Sequence, residues 1–145
     1  MIRLAVANQK TGGSCWFSCH IYQFSAALLW IQMNLLFVCS ENRLRSPTGE
    51  EVFSNYEGIS AIGCGTNADS KTPVSGDLIE WADIIFVMER SHRNKVSKKF
   101  KDLLKGKKLV CLDIPDEYDR MDPILVRLLE SRVMKHLPPS IRKNA

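Results

Sequence analysis

The chain has 145 residues, of which 45% are hydrophobic, 25% charged and 8% aromatic, the composition of one globular domain rather than a disordered, collagenous or disulfide-framed chain. Its net charge of +4 is unevenly spread: Arg3 and Lys10 are the only formally charged side chains in the first 33 residues, which leaves 18 basic against 16 acidic groups on the rest. So small an excess argues against a nucleic-acid partner, which calls for a clustered basic face. The five cysteines, Cys15, Cys19, Cys39, Cys64 and Cys111, are odd in number and lack metal-site pairing, so free thiols in a reducing cytoplasm are expected, with no metal or other cofactor.

In chain order, residues 1–32 show no convincing periodicity. Their most apolar stretch, Cys15 to Met33, is broken by His20, Gln23, Gln32 and two serines, which reads against a membrane-spanning helix. The expectation is an extension outside the functional domain, with Met33 placed two residues before the first strand as if a chain began there. Leu35 to Cys39 (LLFVC) is a continuous apolar run suited to a central parallel strand buried on both faces. Ser46-Pro47 then predicts a helix start, with Ser46 as cap and Pro47 in the first turn, ending near Tyr56-Glu57-Gly58. Ile59 to Ile62 reads as a weaker strand leading into a glycine-rich turn, Gly63 to Asn67.

Ser75 is expected to cap a second helix whose apolar stripe is Leu78, Ile79 and Ala82. Asp83 to Met88 is a clear strand, and Trp81 and Phe86 read as core. His92 to Leu104 forms a basic amphipathic helix with Val96, Phe100, Leu103 and Leu104 inward, ended by Gly106. Its lysines read as a solvated face, and His92 as a solvated or capping residue. Leu109 to Leu112 is a fourth strand. Asp122-Pro123 signals the last helix, with Ile124, Leu125, Leu128, Leu129 and Val133 on one face. The domain is expected to span 33–137, with 138–145 a frayed tail. Strands alternating with helices predict an α/β three-layer sandwich around a four-stranded parallel sheet, whose ligands bind at the carboxyl ends of strands.

Chemistry concentrates at one such end. Cys39-Ser40-Glu41-Asn42-Arg43-Leu44-Arg45-Ser46 spells C-x5-R-S between a buried strand and a helix start. Five intervening residues suffice to wrap backbone N–H groups around a phosphate-sized anion, and the positive end of the following helix points the same way. Arg45 can hold two phosphate oxygens with its planar fork, and a field of this kind favours thiolate over thiol at cysteine. Ser46 can donate its hydroxyl to the sulfur.

The segment LLFVCSENRLRSP resembles the C-x-G-N-x-C-R-S-P loop of the low-molecular-weight protein tyrosine phosphatases. The resemblance runs over residues 33 to about 137. It includes Gly65-Thr66 after the second strand, Asp83 to Glu89 (DIIFVME) against the family's D-x-I-x-x-M-D, and an acidic loop after the fourth strand. It is closest to a compact bacterial branch, since Phe53 to Asp77 is shorter than in well-known members.

The family likeness implies a four-stranded sheet in the order 2-1-3-4 and a phosphomonoesterase working through a cysteinyl-phosphate. Cys39 then matches the nucleophile, Asn42 the loop asparagine, Arg45 the phosphate-binding arginine and Ser46 the thiolate's hydroxyl partner, with Ser40 to Ser46 lining the phosphate. The expected substrate is a phosphorylated protein or a small aryl phosphate, and the expected state a monomer. The general acid should lie after the fourth strand, in Leu112 to Tyr118 (LDIPDEY); Asp113, directly after the strand, is the first choice and Asp116 the alternative.

Two departures stand out. Glu41 replaces the loop glycine and brings a carboxylate beside an anion site. Leu44 replaces the second cysteine, so the protective disulfide of some members cannot form. Rival readings are a non-catalytic phosphate- or phosphotyrosine-binding module and a thiol-coupled arsenate reductase; the latter lacks relay cysteines between Met88 and Phe100.

Overall fold

The computed structural model describes residues 32–141. The N-terminal stretch read as an extension lies outside the described residues, apart from Gln32, and a compact unit begins at Met33. In chain order the elements are β1 (Met33–Cys39), α1 (Arg45–Phe53), β2 (Ile59–Gly65), α2 (Gly76–Trp81), β3 (Ile84–Val87), α3 (Arg90–Lys99), β4 (Lys108–Cys111) and α4 (Pro123–Val133). A single 3-10 turn (Met134–His136) follows α4. All four strands are parallel in the order β2-β1-β3-β4, the expected sandwich.

The pattern of β1 explains its central place. Residues 35–39 are buried without interruption because helices cover both faces. Leu35, Phe37 and Cys39 face the side covered by α1 and α4, with Phe53, Phe86, Leu125, Leu129 and Val133. Leu36 and Val38 face the side of α2 and α3, with Cys64, Ile79, Ile85 and Val96. Phe37 stacks between Phe53 and Phe86 at 5.5 Å centroid distance on either side. Each fully buried side chain of this size contributes roughly 1.5–3 kcal/mol, so this stack anchors the strand that ends in Cys39.

Local signals fixed two helix starts. Ser75 accepts the Leu78 N–H at 3.4 Å, and Asp122 accepts the Ile124 N–H at 2.8 Å with Pro123 in the first turn. Elsewhere tertiary contacts moved the boundaries. Ser46 is not a cap but lies inside α1, which starts at Arg45. The helix expected from His92 runs instead from Arg90 to Lys99, with Phe100, Leu103 and Leu104 packing from the turns that follow. Ile124, expected inward, is exposed.

Of the turn expected over Gly63 to Asn67, Gly63 to Gly65 belong to β2 and press against the end of β1, while Thr66 and Asn67 bend. A Cβ on Gly63 would come within 2.8 Å of Asn42 Oδ1 and of the Ser46 carbonyl, and one on Gly65 within 2.6 Å of the Ser40 carbonyl. At the other terminus Ile141 is buried in the α1/α4 core, so the chain expected to fray from Pro138 reaches that core.

Candidate active site

The order β2-β1-β3-β4 reverses direction beside β1, so the carboxyl end of β1 opens on the crevice where such sheets bind ligands. Cys39 ends that strand, and the chain turns at once into the first turn of α1. Asn42 makes the turn possible: its φ of 57° lies in the left-handed region, which asparagine tolerates better than most residues. The Asn42 N–H then points back to Cys39 Sγ at 3.2 Å.

Ser46, one turn into α1, stands 2.9 Å from the same sulfur, and its hydroxyl donates to Asn42 Oδ1 at 2.7 Å. One hydroxyl proton thus serves two acceptors. While it rests on Asn42, the thiol supplies the proton of the sulfur–oxygen contact; once the sulfur is a thiolate, the hydroxyl can turn to it. The buried Ser46, Asn42 and Cys39 therefore form one hydrogen-bonded cluster.

Arg45 is almost wholly buried, and its guanidinium is held from two directions. Nη1 donates to the Ile114 carbonyl at 2.9 Å and to the carboxylate of Glu89, while Nε lies 3.3 Å from Asp116 Oδ1. An arginine so fixed keeps its planar fork aimed at one place, which suits a dianion with several equatorial oxygens.

Glu41, the carboxylate expected to trouble the loop, points to solvent and pairs with Arg43 at 3.3 Å. Asn42 and Ser46 are buried and bonded to each other, and Ser40 and Leu44 are half-buried. The two candidate acids diverge. Asp113 has φ 51° and projects to the outer side of β4, where it accepts from Cys111 Sγ at 3.3 Å and lies 3.9 Å from Arg90. Asp116, three residues on and past Pro115, is the one beside Arg45.

Two further residues of the site were not assigned to it from the sequence. Glu89 is the carboxylate on Arg45. His92 is buried rather than solvated; its Nε2 lies 2.8 Å from Ser40 Oγ, and its Nδ1 accepts the Glu89 N–H at 3.2 Å. The only local signal for them was their spacing of three residues at a helix start, which is that of a capping box.

A cysteine ends the central parallel strand of this α/β sandwich, with a loop amide and a hydroxyl on its sulfur and a buried arginine opening the helix that follows. The fold is that of the low-molecular-weight protein tyrosine phosphatases. Wzb, a tyrosine phosphatase from Escherichia coli K30 solved with phosphate, is similar at 20% identity and a TM-score of 0.55, over 72% of this chain and 96% of that one. The YwlE arginine phosphatase from Geobacillus stearothermophilus is similar at 17% identity and a TM-score of 0.56, over 72% and 92%. The low-molecular-weight protein tyrosine phosphatase of Streptococcus pyogenes is similar at 12% identity and a TM-score of 0.57, over 74% and 95%. No family model matches the chain, and neither does any curated protein sequence.

Proposed function

We propose that this chain is a phosphomonoesterase that forms a cysteinyl-phosphate on Cys39. The observation that carries the reading is the convergence on one sulfur of the Asn42 N–H and the Ser46 hydroxyl, with the Arg45 guanidinium in the same loop. In the first step the Cys39 thiolate attacks phosphorus as the bond to the leaving oxygen breaks. Arg45 and the loop amides hold the equatorial oxygens, and protonated Asp116 gives its proton to the leaving oxygen. In the second step Asp116, now a carboxylate, takes a proton from water. The water oxygen bonds to phosphorus, the S–P bond breaks, and inorganic phosphate and the thiolate are left.

Asp116 rather than Asp113 is proposed as the acid because only its carboxylate reaches Arg45, and hence the place of the phosphate. Glu41 does not favour the non-catalytic module, since it is turned away and paired. Among the described residues no cysteine supports the arsenate reductase either: Cys64 faces the opposite side of the sheet from Cys39, and Cys111 lies on β4 beyond β3.

The proposed substrate is a phosphorylated protein, met by the polar rim. A groove of about 520 Å³ borders the loop beyond Arg43, lined by Glu50, Glu51, Lys71 and Arg120, and offers charges of both signs to the surrounding polypeptide. A monomer in the reducing cytoplasm is the proposed setting, where Cys39, Cys64 and Cys111 persist as free thiols. No helix among the described residues is long and apolar enough to cross a membrane. The test is hydrolysis of para-nitrophenyl phosphate, with a burst of nitrophenolate equal to the enzyme where breakdown of the intermediate is slow. Absence of turnover in the wild type, or turnover surviving in Cys39→Ser, overturns the reading.

A further inference from the structure

We propose that His92 is a positioning residue for the Cys39–Arg45 loop, and that its uncharged ring ties Ser40 to the turn carrying Glu89. The proposal builds on the anion-binding role of that loop given above. His92 belongs to the first turn of α3, where Arg90, Ser91 and Arg93 are all exposed, yet only 1% of it is accessible. Both nitrogens of a ring so buried need partners. The Glu89 N–H donates to Nδ1, so the ring proton sits on Nε2 and is donated to Ser40 Oγ.

The tie reaches both halves of the site. Ser40 directly follows the nucleophile, and its own carbonyl accepts the Asn67 N–H at 3.0 Å, so the imidazole is one of two fixed points for the residue next to Cys39. Glu89 accepts the His92 backbone N–H with its side chain and also pairs with Arg45. One ring therefore sets the sulfur side through Ser40 and the guanidinium side through Glu89.

The charged groups around the ring come from three elements: Arg45 of α1, Asp116 of the loop after β4, and Glu89 and Lys95 beside or within α3. Burial is the largest influence and lowers the His92 pKa below its ordinary 6.5; Arg45 and Lys95 act the same way, against Glu89 and Asp116. Protonation at Nδ1 would set a second donor against the Glu89 N–H and open the capping box. The neutral ring's contribution is complete above pH 6.5 and is lost as pH falls from there through the lowered folded value.

The test is a double-mutant cycle between His92→Asn and Ser40→Ala, with His92→Gln as the conservative variant. It is read by calorimetric binding of inorganic sulfate, which stays a dianion from pH about 5 to 8, alongside para-nitrophenyl phosphate hydrolysis. Asparagine can still accept the Glu89 N–H but cannot reach Ser40, so the sulfate Kd should rise on the order of tenfold, the scale of one buried hydrogen bond. Glutamine reaches Ser40 and should recover most of that loss. Ser40→Ala should weaken binding as much as His92→Asn, and the double variant should be worse than either by less than about threefold.

Against the wild type, both His92 variants should flatten the fall in sulfate affinity that accompanies protonation of the buried ring, on the acid side of the ordinary histidine value. Additive losses in the cycle, or an unchanged pH dependence in both His92 variants, would overturn the proposal. Should the His92 variants fail to fold, a folded Ser40→Ala with wild-type sulfate affinity overturns it alone. A wild type that binds sulfate but does not hydrolyse the ester would overturn the phosphatase reading and leave the His92 cycle decidable on binding.

Discussion

The loops that follow β1 and β4 lie at the same end of the sheet and are built on opposite principles. Between Cys39 and Ser46 the polar side chains are spoken for: sulfur, Asn42, Ser46, Arg45 and Ser40 each have a named partner, and Asn42, Arg45 and Ser46 are buried. Between Leu112 and Asp122 the chain is tied mainly at its start. There the Ile114 N–H donates to the Met88 carbonyl and Arg132 donates to the carbonyls of Leu112 and Asp113, and residues 115–117 are then exposed. In the reaction proposed above, the cradle holds the equatorial oxygens while phosphorus passes to sulfur and on to water, and the exposed arm carries the proton.

The sharpest way to break this comparison is at its rigid end. Cys39→Ser should keep the fold and lose turnover to background, because the β1 core does not depend on the sulfur while the covalent step does; circular dichroism beside single-turnover phosphate release checks both halves. Arg45→Ala comes next, with a loss of about 10²- to 10³-fold in kcat/KM expected from removal of a preorganised donor to developing charge. Glu89 and Asp116 are partly exposed and stay solvated when Arg45 is gone, so the fold should survive.

On the exposed arm, Asp116→Asn should cost about 10²- to 10⁴-fold in kcat, most for alkyl phosphates, whose leaving oxygens need a proton more than nitrophenolate does. Asp113→Asn should fall well short of that, since its carboxylate faces Cys111 and Arg90. Equal losses at the two positions, independent of leaving group, would remove the proton-donor role from both.

How much of this was legible in the sequence divides along the same line. The strand LLFVC, the C-x5-R-S loop and the Ser75 and Asp122-Pro123 helix starts are local patterns, each readable within about ten residues, and the structure keeps them. The family resemblance supplied the sheet order, which no local pattern encodes. Ser46 reads from the sequence both as a helix cap and as the hydroxyl partner of the Cys39 sulfur, and the fold keeps the second and drops the first, since the helix already begins at Arg45. The burial of His92 depends on Ser40, 52 residues away, and the outward turn of Asp113 depends on a left-handed backbone that closeness to the strand does not announce.

Oxidation offers a smaller test. After peroxide, peptide mapping should find no disulfide between Cys39 and either Cys64 or Cys111. Cys64 points to the other face of the sheet, and Cys111 is two strands away, roughly 10 Å at the usual strand spacing, beyond the 7 Å that a disulfide tolerates. A Cys39–Cys64 crosslink would show that the loop after β1 can unwind from its hydrogen bonds, and the contrast with the loop after β4 would lose its force.

The smallest expected effect lies where the exposed arm meets α1. Met121 adopts φ 61°, a conformation in which an ordinary side chain costs roughly 1–2 kcal/mol, and its N–H donates to Thr48 Oγ1 at 3.0 Å. Thr48 in turn donates to the Leu44 carbonyl at 2.6 Å, so this one hydroxyl joins the arm to the base of the cradle. Met121→Asn keeps the N–H, suits the left-handed backbone and removes an exposed apolar side chain. It should raise stability by about 0.5–1 kcal/mol, a gain of roughly 2–5 °C in Tm, with kcat unchanged. Thr48→Val, which removes the junction itself, should lower stability by about 1–3 kcal/mol. If the arm's place over Arg45 depends on that junction, Thr48→Val should also lower kcat on alkyl phosphates more than it weakens phosphate binding; equal losses in both would mean that the hydroxyl serves the cradle alone.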